Sequence, residues 1–253
     1  MTMPAALPRC AMPCGAPAPR AQAGAGLIEL MVAIMISMIL LFGLFSFVYG
    51  TRQTFTAQNQ FAQLQDNERM AMTLLANVVQ TGGYFPNPTV NTLAAALPAS
   101  GNFAGGQSIY GVAGDQIQVR YAAGTTDGVM DCTGQTNTGA ATVIDINTFY
   151  VNANTNQLVC QVTQNGVAGV PVALVNGVTG MTILYGVDTN GDGSADEYLA
   201  AGAMNAAAWN TVVSVQIQLT FSNPLSGATA TGTTAATAGV LSLTRTINVL
   251  NRT

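Results

Sequence analysis

From residue 27 to residue 49 the chain is apolar at almost every position, with Glu29 as the lone charge. At ~1.5 Å per residue, that run predicts a helix long enough to cross a bilayer core. After Tyr49 the pattern changes character. Residues 51–81 contain no Gly or Pro, and Phe61, Leu64, Ala71, Leu75 and Val78 recur at spacings of three, four or their sums. This periodicity predicts a continuing amphipathic helix with a narrow apolar stripe that needs a domain to cover it. Asp66, Glu68 and Arg69 fall on the other faces. Gly82-Gly83, with Pro86 just beyond, predict the helix end.

Beyond the helix the period drops to two. Val213, Val215, Ile217, Leu219 and Phe221 share one face, while Ser214, Gln216, Gln218 and Thr220 share the other. Such alternation predicts a half-buried antiparallel strand. Shorter strands are predicted at 116–121, 142–151, 157–162, 181–187 and 240–250, with a hairpin loop at 152–156. Stretches rich in Gly, Ala, Thr and Asn at 87–115, 122–141 and 222–239 separate them, the last being low-complexity. The fold class expected is α+β, a long spine helix packed on an antiparallel sheet.

Composition narrows the chemistry. Of 253 residues only 7 are basic and 11 acidic, there is no His, and every basic residue is Arg. Imidazole-based nucleophilic sites, His-ligated zinc, Schiff-base lysines and P-loops are therefore excluded. A net charge of −4 argues against nucleic acid as a partner. What remains is a membrane, structural or binding protein, or an enzyme driven by carboxylates alone. The Ala- and Pro-rich segment before the span carries Arg9 and Arg20 but no apolar core of its own, unlike an ordinary secretory signal. Arg20 ahead of the span and a large polar segment after it favour an inside N-terminus and an exported C-terminal domain.

The junction Gly24-Ala25-Gly26-Leu27-Ile28-Glu29-Leu30-Met31-Val32-Ala33 resembles the type IV prepilin N-terminus. The resemblance implies cleavage after Gly24 by a prepilin peptidase, a new N-terminus at Ala25, and Glu29 at the fifth mature position. Ala25 replaces the usual Phe and Gly26 the usual hydroxyl residue, departures that bear on N-methylation rather than on the cut. The family assigns Glu29 to pairing with a mature N-terminal amine during subunit assembly. The plainer alternative is an interfacial carboxylate at the end of an ordinary anchor. A charge three residues inside a span is costly without a partner, which favours the first. The implied organisation is a leader at 1–24, a transmembrane half-helix at 25–50, an amphipathic half-helix at 51–82 and an exported β-rich domain at 83–253.

Further segments resemble one minor-pilin group, PilW: the helix end from Leu74 to Tyr84, Phe149-Tyr150-Val151, Leu158-Val159-Cys160, Tyr185-Gly186-Val187-Asp188, Trp209 to Val215, and the C-terminal stretch from Thr244 to Arg252. The resemblance implies a low-copy subunit that joins other minor and major pilins and the inner-membrane assembly platform. It also implies a role in priming pilus assembly at or near the tip, with a tip adhesin as a further partner, and an address in the inner membrane and then the pilus. A J-type minor pseudopilin of type II secretion shares this spine and is the alternative. A membrane-anchored exported enzyme is the reading from another class, and the residue inventory weighs against it.

Cys10 and Cys14 fall in the leader, so the mature chain keeps one pair, Cys132 and Cys160. An exact pair in an exported domain predicts a disulfide. The run from Asp188 to Tyr198 places Asp188, Asn190, Asp192 and Asp196 at positions 1, 3, 5 and 9 of an EF-hand-like calcium loop, with Gly193 at 6 and the Ser194 carbonyl at 7. Position 12 is Leu199, so the bidentate Glu is missing. Calcium in a stiffening role and a metal-free Asx-rich turn are the two readings, and no cofactor is required. Asp127 and Asp131 lie in a Gly- and Thr-rich loop without aromatic platforms and read as solvated loop carboxylates. Arg120, Arg245 and Arg252 are too sparse to form an anion-binding surface.

Overall fold

A computed structural model describes residues 26–112, 115–223 and 241–251. Gly24, Ala25, Cys10 and Cys14 lie outside the described residues, as do Arg252 and most of the low-complexity stretch. The chain divides into two compact units, the first ending at Gln53 and the second beginning at Thr54.

Helix α1 spans Leu27–Thr81 and is unbroken, as the absence of Pro dictates. In the first unit its large apolar side chains face outward on every side, from Leu27 through Phe42 to Tyr49. This helix is long and apolar enough to cross a membrane. In the second unit α1 is one-sided. Leu64, Ala71, Met72, Leu75, Ala76, Val78 and Val79 are buried, while Asp66 and Arg69 stay exposed and paired at 3.3 Å. Phe61, placed by its spacing on the covered stripe, is instead exposed; the domain's cover begins at Leu64. The helix stops where expected. Gly82 N–H donates back to Val78 O (3.2 Å), and Gly83, at φ +82°, turns the chain so that its N–H meets Arg120 O at 2.9 Å. A Cβ on Gly83 would collide with the Asn251 carbonyl.

Two antiparallel sheets complete this unit. The first has six strands: β1 (Ile109–Val112), β2 (Gln116–Ala123), β3 (Val143–Asn152), β4 (Gln157–Gln164), β5 (Val167–Ala168) and β6 (Val172–Asn176). The path runs β1-β2-β3-β4-β5, with β6 also pairing β4. The second has four, in the order β10-β9-β7-β8: β10 (Leu241–Asn248), β9 (Val212–Phe221), β7 (Val178–Val187) and β8 (Glu197–Ala200). The expected single sheet is thus two, since β7 runs against β2, β3 and β4 at the seam between them. Leu75, Val78 and Val79 of α1 join Ile117, Phe149, Leu158, Tyr185, Val215, Ile217 and Leu219 in one apolar cluster drawn from both sheets.

All six expected strands are present. The loop at 152–156 is a hairpin, with Asn156 at φ +50° and Asn154 N–H held by Asn152 Oδ1 at 3.0 Å. Strands β1, β5, β6 and β8 were not anticipated. Asn165 and Gly166, both at positive φ, form the tight β4–β5 turn that such a pair favours. The stretch 87–115, expected to be irregular, holds β1 and a short helix α2 (Leu93–Ala96) capped by Thr92, whose Oγ1 accepts from Ala95 N–H. A second short helix, α3 (Ala206–Asn210), is capped by Asn205 and buries Trp209.

Candidate assembly site

Glu29 sits in the first turn of α1, where its N–H donates to Gly26 O at 2.9 Å. Its neighbours Leu27, Ile28 and Leu30 are all exposed. Among the described residues no side chain forms an ion pair with it. A carboxylate at a helix N-terminus is favoured by the macrodipole, yet in lipid that half-charge leaves most of the desolvation uncompensated. The arrangement therefore presents an apolar shaft with one unpaired acceptor near its start.

In the second unit the cysteine pair is joined. Cys132 and Cys160 form a disulfide across a separation of 28 residues, with Cα atoms 6.4 Å apart, and both are buried. Cys160 lies on β4 opposite Phe149, and Cys132 lies in the loop between β2 and β3. The bond staples that loop over β3. Asn147 on β3 reinforces it, its Oδ1 accepting the Cys132 N–H at 2.8 Å. Asp131 and Asp127, read as solvated, organise the loop instead. Asp131 Oδ1 accepts from Thr133 N–H and Oγ1 (both 2.7 Å) and from Gln135 N–H (3.0 Å). Asp127 Oδ2 accepts from Gly124 N–H at 2.6 Å. Turn donors thus occupy Asp131 Oδ1 and Asp127 Oδ2, as in a loop shaped by its own carboxylates.

The acidic loop joins β7 to β8. Asp188 Oδ1 accepts from Gly191 N–H (2.6 Å) and its Oδ2 from Gly193 N–H (2.8 Å). Those bonds hold the Asp188 carboxyl below its ordinary range, Gly193 contributing most. Asp196 Oδ2 accepts from Thr189 Oγ1 and N–H, both at 2.7 Å, which lowers its pKa likewise. Both groups are ionised at neutral pH. Their contribution to loop closure is complete above the ordinary carboxylate range and fades as pH falls through the lowered values.

The candidate calcium ligands also bond to one another. Asn190 directs its amide nitrogen at Asp192 Oδ2 and Asp196 Oδ1, both 3.2 Å away. Ser194 N–H caps Asp192 Oδ1 at 2.8 Å. Leu199, at position 12, pairs with Tyr185 in the β7–β8 ladder. Among the described residues no three His, Cys, Asp or Glu side chains gather as a metal-ligand group. As folded, the side-chain oxygens of the loop form an Asx-rich network of turn hydrogen bonds.

Sequence reasoning missed the polar residues that organise the core. Arg120, considered only as too sparse to help form an anion-binding surface, is fully buried and spends its guanidinium on backbone carbonyls of the segment 97–107. Its position between Val119 and Tyr121 in a charge-poor chain is the signal that could have found it. Tyr121, beside Asn147, is also fully buried, and burial pushes its phenol up.

Comparison with known proteins agrees with this geometry. Residues 19–45 match the prokaryotic N-terminal methylation motif. Residues 148–248, from β3 through β10, match the family of Type IV pilus-assembly protein W, PilW. No curated protein sequence matches the chain significantly. Among solved structures, a type IV-like pilin from Thermus thermophilus is similar at 17% identity and a TM-score of 0.45, over 74% of this chain and 96% of that one. A methylation motif opening onto an apolar helix whose amphipathic second half packs on antiparallel sheets defines a type IV pilin. The match across the sheets is narrower, and it supports a minor type IV pilin similar to the PilW family. The motif and the exposed apolar helix are consistent with membrane anchoring.

Proposed function

We propose that the chain is a structural, non-catalytic subunit that primes pilus assembly together with other minor pilins, at or near the tip. Before assembly it sits in the inner membrane with its sheet domain exported. A prepilin peptidase cuts after Gly24, and the assembly platform and major pilins are its later partners. The observation that carries this reading is Glu29, a carboxylate with no ion-pair partner among the described residues, in the first turn of an apolar shaft that lies within the match to the methylation motif. In a dry subunit interface the amine of a processed neighbour is the partner such a carboxylate lacks.

Glu29→Val tests this. The variant inserts in the membrane at normal abundance, because the change only makes the shaft more apolar. Its incorporation into sheared pili, read by immunoblot, falls at least tenfold. Undiminished incorporation sinks the assembly role of Glu29. Incorporation into a secretion pseudopilus, with none into pili, assigns the chain to type II secretion instead.

A further inference from the structure

The last turns of α1 border an open groove. Leu74 and Val78 of the helix, Val129 and Met130 of the disulfide-held loop, Tyr84 and Leu250 line about 580 Å³. Two of these side chains stand in water, Met130 at 61% and Leu250 at 66% exposed. Large apolar side chains left exposed beside a concave apolar surface mark a place where another surface docks. Among the described lining residues the lone charge is Asp131, and Asn77, Gln80 and Thr81 add amides and a hydroxyl.

The same chain carries an uncovered group of matching chemistry. On α1, residues 53–65 hold no charge, and Phe55 is 61% exposed because the domain's cover begins only at Leu64. Phe55 cannot enter the groove of its own chain. The helix is unbroken, which sets Phe55 about 28 Å from Leu74 and about 39 Å from Thr81 along the axis. A second copy displaced by roughly 30 Å along that axis brings the two together.

We propose that Phe55 of one copy docks in this groove of a second copy, head to tail. The contact deepens the assembly reading and rests on it, since it fixes how far one subunit stands ahead of the next. The chemistry of the groove selects an aromatic occupant, because the Met130 thioether and the Tyr84 ring both pack favourably on an aromatic ring. Gln58 and Asn59, three and four residues beyond Phe55 and so on its side of the helix, offer amides to the amide and hydroxyl groups of Asn77, Gln80 and Thr81. The contact joins two different patches, so it repeats into an open row and does not close a dimer. A Phe side chain buries about 150–250 Å², far short of the ~1,200 Å² of a stable interface. The contact therefore forms between copies whose apolar half-helices already hold them side by side in one membrane.

Two differently tagged full-length copies are expressed together in cells that assemble pili. One carries the photoreactive p-benzoylphenylalanine at position 55, an aromatic in place of an aromatic. Illumination joins the two tags, and mass spectrometry maps the link to 74–84, 128–134 or 250–251 of the other copy. The yield falls roughly tenfold when that other copy carries Met130→Ser with Leu250→Ser, two exposed changes that leave Tm unaltered. The proposal is overturned by no product between the tags, by a link that maps elsewhere on the second copy, by a yield indifferent to the groove variant, or by products with other pilus subunits alone. Sheared pili from the same cells are blotted for the chain. Its presence there without the link removes this contact and leaves the assembly reading standing, whereas its absence from pili removes the assembly reading whether or not the link forms.

Discussion

A single guanidinium decides how the segment 97–107 folds. Arg120 donates from Nε to Gln107 O (3.0 Å), from Nη1 to Pro98 O (2.7 Å), and from Nη2 to Ala104 O (2.9 Å) and Gln107 O (2.6 Å). It also lies over the Phe103 ring, 4.6 Å from the centroid. None of these acceptors is a carboxylate. Burial lowers its pKa to about 10, so it remains charged at neutral pH and is neutralised only by carbonyl dipoles. Removing it orphans several buried carbonyls, each worth ~1–3 kcal/mol. Arg120→Ala therefore costs about 3 kcal/mol or more in denaturant unfolding followed by Trp209 fluorescence. Arg120→Lys recovers less than half of that, because one ammonium cannot reproduce the planar fork. A loss below about 1 kcal/mol in the Ala variant would show that the segment holds its place without this residue.

At the scale of elements, legibility followed from how strongly each pattern was tied to one face. The spine helix and β9 were plain because long stretches repeat one period, 3.6 or 2, and apart from Phe61 the apolar positions read from those periods are buried. Strands β1, β5, β6 and β8 were not, being two to five residues long and too short for any alternation to register. The β2 strand was legible, but nothing in its pattern showed what covers the face that carries Arg120. The segment 97–107 folds back over that face and buries Arg120, a tertiary event with no local periodicity to announce it. The Asp188–Asp196 spacing was equally legible and its chemistry was not, since spacing cannot show whether carboxylate oxygens meet a cation or their own loop's N–H groups. The cysteine pair needed only parity and compartment. Its loop is otherwise anchored by Asn147, Asp131 and Asp127, all polar and replaceable by water. Closing 28 residues contributes ~3–4 kcal/mol in the chain-entropy model. Cys132→Ser with Cys160→Ser should lower stability by about that amount while leaving far-UV dichroism unchanged, because the strands keep their ladders. An unaltered denaturation midpoint would mean that the polar anchors suffice.

For the whole molecule, the scarcity of charge is divided by position. The described stretch of the first unit carries only Glu29 and Arg52, whereas the second unit sets Asp66 and Glu68 on α1, Asp145 within β3, Glu197 at the start of β8 and its other described carboxylates in loops, with Arg120 buried in the core. Glu29 has meaning only relative to where the chain begins. With the segment 1–24 attached, the nearest amine is the distant Met1, and Arg9 and Arg20 precede the shaft. With a cut after Gly24, the new amine belongs to Ala25, four residues from Glu29, just ahead of a helix that starts at Leu27. An amine so close to the carboxylate would let the carboxylate of this shaft meet the terminus of a similarly processed neighbour in lipid. A peptidase reading this junction needs a small residue before the cut, and Gly24 supplies it. Mass spectrometry of protein extracted from membranes of a cell with a prepilin peptidase should therefore find a chain beginning at Ala25. Gly24→Leu should leave the leader attached, with the full-length mass and the same membrane insertion. A native chain that keeps Met1, or a cut elsewhere in the leader, would separate Glu29 from any nearby amine and remove the basis for its role in assembly.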